Sequence, residues 1–392
     1  MDSIKSGILS VGASDPQRRL FDALIPLPEG TSYNAYLIKG DNGTALIDTV
    51  DPTKTDILLT ALRRSGAESI DYVIANHAEQ DHSGSLPAVL QLYPKATVIC
   101  SGKCKPMLID LLHLAPERIR TVKDGETISL GNRTLEFVST PWVHWPETMT
   151  TYLREQRILF SCDLFGSHKA ADDLLAYEEQ DIQDATRRYY AEIMMPFRPA
   201  VVKNVERLSG LKPDLIAPSH GPIHKRPDVV MDWYRSWTSD VVENLAVIAY
   251  VSMHGSTQQM ATRLASSLEG NGVRANVYDL VGADLGDIAS DLVDAATLVV
   301  GTPCVLSGIH PVAMHAIYTV NSLRPKTKFV GLIASYGWGQ RIAEQVVPML
   351  DNLKVEFLPP VMERGLPTDY SALDGLAKTI AAKHQSLLFK EF

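Results

Sequence analysis

The 392-residue chain holds four cysteines, Cys100, Cys104, Cys162 and Cys304, and no CxxC pair. That excludes a disulfide framework, a structural zinc cluster and a rubredoxin-type iron centre, so any iron–sulfur electron carrier has to be another protein. No stretch approaches 18 consecutive apolar residues, and no membrane span is expected. The opening MDSIKSGILSVGASD lacks the long apolar core and cleavage site of a secretory signal, and the expectation is a cytoplasmic protein. Positive charge is not in excess: 37 Lys and Arg stand against 46 Asp and Glu, a net −9. Neither nucleic acid nor an anionic membrane is expected as a partner. Internal repeats and low-complexity tracts are also missing, and the length suits two domains better than one core.

What is present divides in two. NAYLIKG and TALIDTV read as a hairpin around Asp41-Asn42-Gly43, residues that tolerate positive φ. A helix follows to Gly66, capped by Asp51 or Thr53. DYVIA, ATVIC, the pair TISLG and RTLEFVST, the pair TYLRE and RILFSCD, and then KPDLIAPSH read as further strands, with LPAVLQLYP helical between them. The register changes near residue 244. LAVIAYVSM is an almost continuous apolar run, as in a strand covered on both faces, and ANVYDL, ATLVVGTPC and KFVGLIASYG follow in alternation with helices. A mixed α+β domain over 1–243 and a parallel α/β domain over 244–392 are expected.

The densest chemistry is NHAEQDHSG, which places His77, Glu79, Asp81 and His82 within six positions, just after the strand DYVIA. His144 in PWVHWPE, Asp163 in FSCDLFG and His220 in APSHGP stand where later strands end. Any one of them has a structural alternative: Asp81 and Ser83 are ordinary helix caps, and a lone loop histidine is ordinary too. Together they make four imidazoles and three carboxylates, too many for one zinc and suited to two metals that share a carboxylate. His168 and His224 are read as surface residues or as supports behind the ligands.

In the second half, SMHGSTQQM joins a first strand to a first helix through hydroxyls and a glycine. Backbone N–H groups and a helix N-terminus at such a turn suit a phosphate. No GK[ST] follows and the pattern is not GxGxxG, so it is neither a P-loop nor a dinucleotide turn. GTPCVLSGIHP and ASYGWGQ follow the third and fourth strands, at the strand ends where open parallel sheets bind ligands.

These motifs resemble those of the metallo-β-lactamase superfamily, whose signature is HxHxDH followed by a His, an Asp and a His. Glu79 stands in the place of the second signature histidine. That exchange makes the site more anionic, favours iron over zinc, and resembles the flavodiiron proteins, also called A-type flavoproteins. GTSYNAYLIKG and ALIDTV resemble that family too, whereas RRLFDALIPLPEG lacks the histidine that many members carry in an FHG-like sequence. The resemblance covers essentially the whole chain. It implies an αββα metallo-β-lactamase-like sandwich followed by a flavodoxin-like doubly wound parallel sheet.

By position, the resemblance assigns His77, Glu79 and His144 to one iron, Asp81, His82 and His220 to the other, and Asp163 to the bridge, with His82 the ligand that some members turn away. It assigns Ser252, Met253, His254, Gly255, Ser256 and Thr257 to the phosphate of a flavin mononucleotide (FMN). Pro303, Cys304, Val305, Leu306, Ser335, Tyr336, Gly337, Trp338 and Gly339 fall to the isoalloxazine. The implied cofactors are thus FMN and a non-haem iron pair, oxo- or hydroxo-bridged in one of its forms. The implied activity is reduction of dioxygen to water or of nitric oxide to nitrous oxide. The implied donor is rubredoxin, with reduced F420 second, and the implied assembly is a head-to-tail homodimer or a dimer of dimers. Two rival readings are a zinc hydrolase with an accessory flavodoxin domain, which Glu79 disfavours, and a non-catalytic electron carrier, which the intact set of seven ligands disfavours.

Overall fold

The computed structural model describes all residues except 1, 171–173, 177–179, 339–340 and 389–392. The chain separates into two compact units: residues 1–190 with 197–238, and residues 191–196 with 239–392.

The first unit holds two seven-stranded sheets. The hairpin of Tyr36–Lys39 and Thr44–Ile47 pairs antiparallel and continues in parallel through Tyr72–Ala75, Thr97–Ser101 and Ile119–Val122. Its turn needs no positive φ: Gly40 donates to the Gly43 carbonyl and Asn42 to that of Leu130. The period-two alternation of strand side chains decides what each face covers. Ile38, Ile47, Ile74 and Ile99 face a shared core with Phe137, Leu153, Ile158 and Phe160 of the second sheet. Leu37, Leu46, Val73 and Val98 face the other way, against Leu58 and Leu62 of the helix Thr55–Arg64 and Leu86 and Val89 of the helix Leu86–Leu92. Asp51 does cap the chain's entry to the helix Thr55–Arg64, through the Thr53 amide at 2.8 Å, but across a short 3-10 turn, Pro52–Lys54. Five strands of two to four residues between Asp2 and Pro26, and a sixth at Thr31–Tyr33, are too short to show a pattern in the sequence.

The second unit is a parallel sheet of strands Arg274–Asp279, Glu243–Tyr250, Ala295–Val305 and Phe329–Tyr336 in that spatial order, with Glu356–Phe357 and Val361–Arg364 sharing the last edge. By sequence this is the order 2-1-3-4-5 of flavodoxin-like folds. Val247 and Ala249 face Ile288, Leu292 and Ile317, whereas Ala246 and Ile248 face Met260, Leu264 and Ile380. Helices therefore cover both faces, as the apolar run in the first strand requires. The fifth strand was not evident in the sequence, because Pro359 and Pro360 interrupt its ladder.

The C-terminal helix Ser371–Leu388 is pinned through buried His384, whose Nδ1 donates to Asn244 Oδ1 at 2.8 Å and whose Nε2 accepts from Thr297 Oγ1 at 2.7 Å. Burial lowers its pKa from 6.5 to about 4. As the pH falls, the unfolded chain takes up this proton first. The contribution of the neutral, buried ring to stability is complete above pH 6.5 and is lost progressively toward pH 4. Between those values the denaturation midpoint of the second unit should fall with pH, and His384→Gln should flatten that slope while lowering the midpoint at pH 7.

Candidate metal centre

All seven candidate ligands converge. The strand Tyr72–Ala75 ends just before His77, Ile158–Cys162 just before Asp163, and Leu215–Pro218 just before His220. Asp81 and His82 lie on a single helical turn, Gln80–Ser83. Cys162 has φ 56°, a left-handed backbone that β-sheet residues avoid; it turns the chain at the point where Asp163 leaves the strand.

Two groups form around one carboxylate. Glu79 Oε2 lies 3.0 Å from His77 Nε2 and 3.1 Å from His144 Nε2, and Asp163 Oδ2 lies 3.6 Å from each. On the other side, Asp81 Oδ2 lies 3.3 Å from His82 Nε2 and 3.0 Å from His220 Nε2; Asp163 Oδ1 lies 2.9 and 3.5 Å from the same two nitrogens. Each oxygen of Asp163 thus faces its own pair of imidazoles. Donors held at about 2.1 Å on one first-row metal, at right angles, stand about 3.0 Å apart. The observed spacings fit two such ions.

Hydrogen bonding supports the same reading. Both Asp81 oxygens and both His82 nitrogens are buried without an aligned hydrogen-bond partner among the described residues, despite their close neighbours. Buried polar atoms are seldom left so, and a shared cation is one way to satisfy them. In the bare protein protons supply that charge. Burial disfavours charged His82, yet Asp163 and Asp81 overcome it and raise its pKa to about 10. Burial likewise opposes ionised Asp163, but His82 and then His77 and His144 hold its carboxyl well below the ordinary range. Such imidazole–carboxylate sets bind metals in exchange for protons.

Around the ligands stand residues that the sequence did not single out. Glu147, fully buried, accepts from His77 Nδ1 at 2.7 Å and from the Ala78 amide at 3.0 Å. The Tyr189 hydroxyl donates to Asp163 Oδ1 at 3.0 Å. His220 Nδ1 donates to the Ser32 carbonyl at 2.6 Å. Asp48 receives the Asn76 amide at 2.8 Å and Ser219 Oγ at 3.4 Å, and so ties together the loops that carry His77 and His220. His168 and His224 are buried and not at the surface. His168 packs between Phe21, Tyr189 and His220 with its Nδ1 on Thr31 Oγ1, and His224 holds the Phe165 carbonyl. The cleft beside the ligands, about 940 Å³, is lined by Glu79, Asp81, Arg18, Trp145 and Asp22 among others. Asp22 belongs to the RRLFDALIPLPEG segment. Burial, then Glu79 and Asp81, raises its carboxyl above the ordinary range.

In the second unit Gly255 adopts φ 87° and leads into the 15-residue helix Ser256–Gly270; its amide donates to Ser252 Oγ at 3.1 Å. Thr257 Oγ1 meets Ser335 Oγ at 2.9 Å, joining the first loop to the fourth. Ser252, Met253, His254, Ser256, Pro303, Cys304, Ser335, Tyr336 and Gly337 line one cleft of about 460 Å³ beyond the strand ends. Gly365, at φ 72°, lines it too and follows the unread fifth strand. Gly255, Thr257, Val305, Leu306 and Trp338 do not line this cleft, and Leu306 and Trp338 are largely exposed. Gly339 lies outside the described residues. A long helix's N-terminus, the hydroxyls of Ser252 and Ser256 and a glycine turn fit a phosphate monoester beside a flat ring.

Residues 31–221 match the family described as ODP family beta lactamase. The chain is 34% identical to a nitric oxide reductase of Moorella thermoacetica over 91% of each protein. It is 36% identical to a coenzyme F420H(2) oxidase of Methanothermobacter marburgensis over 72% of this chain and 73% of that one. Its fold is similar to that of the rubredoxin oxygen:oxidoreductase of Desulfovibrio gigas, with TM-score 0.94, 31% identity and 99% of each chain covered. It is similar as well to the flavodiiron protein of Giardia intestinalis, with TM-score 0.90, 26% identity, and 97% and 94% covered. With these likenesses running through both units, and with two imidazole–carboxylate groups around one aspartate, the chain belongs to the flavodiiron protein family.

Proposed function

We propose that this chain reduces dioxygen to water, nitric oxide to nitrous oxide, or both, at a non-haem iron pair supplied with electrons from an external donor through FMN. The observation that carries the reading is Asp163, whose two oxygens each face a separate pair of imidazoles. His77, Glu79 and His144 would hold one iron and Asp81, His82 and His220 the other, with Asp163 offering one oxygen to each. His82 is kept as a ligand because its Nε2 points into the group, 2.9 Å from Asp163 Oδ1. The bound irons would take up the gas and deliver electrons to it, and the flavin would pass electrons singly from a two-electron or one-electron donor.

The chain's own residues do the rest. Glu79 in place of an imidazole selects iron over zinc. Glu147, Tyr189 and the Ser32 carbonyl hold His77, Asp163 and His220 in place from behind. Ser252 and Ser256, at the turn that Gly255 makes, would hold the FMN phosphate, and Tyr336 would lie beside the ring. Dioxygen consumes four electrons and four protons to give two waters; two nitric oxides consume two electrons and two protons to give nitrous oxide and water. The names of two relatives point to rubredoxin or reduced F420 as the donor class, and rubredoxin is preferred. A head-to-tail homodimer, or a dimer of dimers, would set one subunit's FMN beside its partner's irons. Among the described residues no helix is long and apolar enough to cross a membrane, and the reading places the enzyme in the cytoplasm.

The test is gas consumption by iron- and FMN-loaded protein reduced with an artificial donor. Loss of dioxygen without peroxide, or of nitric oxide with nitrous oxide formed, bears the reading out; loss of neither sinks it. Asp22 bears on the choice of gas. A carboxylate in the cleft offers no hydrogen bond to a reacting oxygen, whereas an imidazolium does. Asp22→His should raise the dioxygen rate relative to the nitric oxide rate by roughly tenfold at unchanged iron content, as read from the two rates at an electrode.

A further inference from the structure

The two metal positions have the same ligand types: two imidazoles, one carboxylate of their own and one oxygen of Asp163. The groups behind those ligands are not the same. His77 donates its Nδ1 proton to Glu147, a carboxylate with no exposed surface whose other oxygen meets no donor among the described residues. Its negative charge is therefore directed largely onto His77 and the Ala78 amide. On the other side, His220 donates to a neutral carbonyl, that of Ser32, and His82 Nδ1 is buried with no hydrogen-bond partner among the described residues. The Tyr189 hydroxyl, also on that side, donates to Asp163 Oδ1, the oxygen that faces His82 and His220.

Each contact has a direction. A carboxylate that accepts an imidazole's proton makes the opposite ring nitrogen a stronger donor to a metal. A hydroxyl that donates to a carboxylate oxygen makes that oxygen a weaker one. The first acts on the position of His77, Glu79 and His144, the second on that of Asp81, His82 and His220. Both favour the ferric state at the first position and the ferrous state at the second. We infer that Glu147 and Tyr189 are positioning residues that make the two irons electronically unequal, so that the iron of the Asp81 group takes up its electron first and that of the His77 group second.

The inference rests on the diiron reading above. It is tested on 57Fe- and FMN-loaded protein poised at a series of potentials with dithionite and mediators, each iron taking one electron. Mössbauer spectra, which do not see the flavin, give the ferric and ferrous populations. The wild-type protein should show two separate steps, with a half-reduced form accumulating between them. Glu147→Gln should raise the second, lower-potential step toward the first and leave the first in place. Tyr189→Phe should lower the first toward the second. Glu147→Asp keeps the charge and should keep the second step where it was. Iron-replete variants whose steps stay put, move together or move in the reverse sense overturn the inference. So does iron loss in Glu147→Gln that Glu147→Asp does not restore, since that marks a packing role. Wild-type protein that takes up fewer than two irons per chain fails differently, and tells against the diiron reading itself.

Discussion

Replacing Asp163 with alanine should empty both metal positions at once. The carboxylate serves each group through a different oxygen, with four imidazole nitrogens within 3.6 Å of it. A change at Glu79 or Asp81 removes one donor from one group, whereas Asp163→Ala removes one from each. It also takes away the buried negative charge that holds His82 protonated in the bare protein and would neutralise metal in the loaded one. Residues behind a metal's ligands typically contribute 10- to 100-fold in affinity or activity, and loss of a shared ligand should exceed that. Iron content should fall from two per chain to near zero, and gas consumption by more than about a hundredfold. FMN content should not change, because the cleft proposed for the flavin is lined by residues 252–365 of the other unit. Measuring iron and flavin in one sample decides the matter. A variant that keeps one tightly bound iron would show that Asp163 belongs to one group and that the pair is not bridged through it.

The seven residues that converge were legible in the sequence and those behind them were not, for a physical reason. His77, Glu79, Asp81 and His82 are crowded into six positions, and Asp163 and His220 follow apolar strands whose ends the hydropathy marks. A residue that acts on a ligand from behind has no such sign. Glu147 is 70 positions from His77 in sequence and follows a proline, where an exposed loop glutamate would read the same way. Tyr189 sits on the amphipathic helix Gln180–Tyr189 and looks like an ordinary buried aromatic until its hydroxyl is placed against Asp163. The same holds for the backbone: the left-handed φ of Cys162, 56°, falls on a residue type that does not advertise it, unlike Gly255. In the second unit, strands with both faces covered announced themselves as apolar runs. The fifth, two residues and then four on either side of Pro359 and Pro360, did not, and Gly365 at its end was missed with it.

Ser256→Asp should separate the two centres. Ser256 opens the helix Ser256–Gly270 and lines the cleft proposed for the flavin, with Gly255 turned left-handed just before it. The amides and the positive end of the helix there favour an anion. A carboxylate at position 256 would take that place itself and confront the doubly charged FMN phosphate with a like charge at close range. A carboxylate at a helix start does not unfold a helix; it stabilises one by roughly 0.3–1 kcal/mol, so the variant should fold. Flavin absorbance after purification should drop from about one FMN per chain to a trace, with iron content as in the parent. Turnover driven by an external donor should fall by at least about a hundredfold, the loss expected when 2.7 kcal/mol or more of binding is removed. Iron reduced directly with dithionite should still consume one pulse of gas. If the variant retained its flavin, the phosphate would have to sit elsewhere than the 252–257 turn. If it lost flavin and the single pulse together, the metal centre would depend on the flavin unit in a way that the ligand geometry, complete within the first unit, gives no reason to expect.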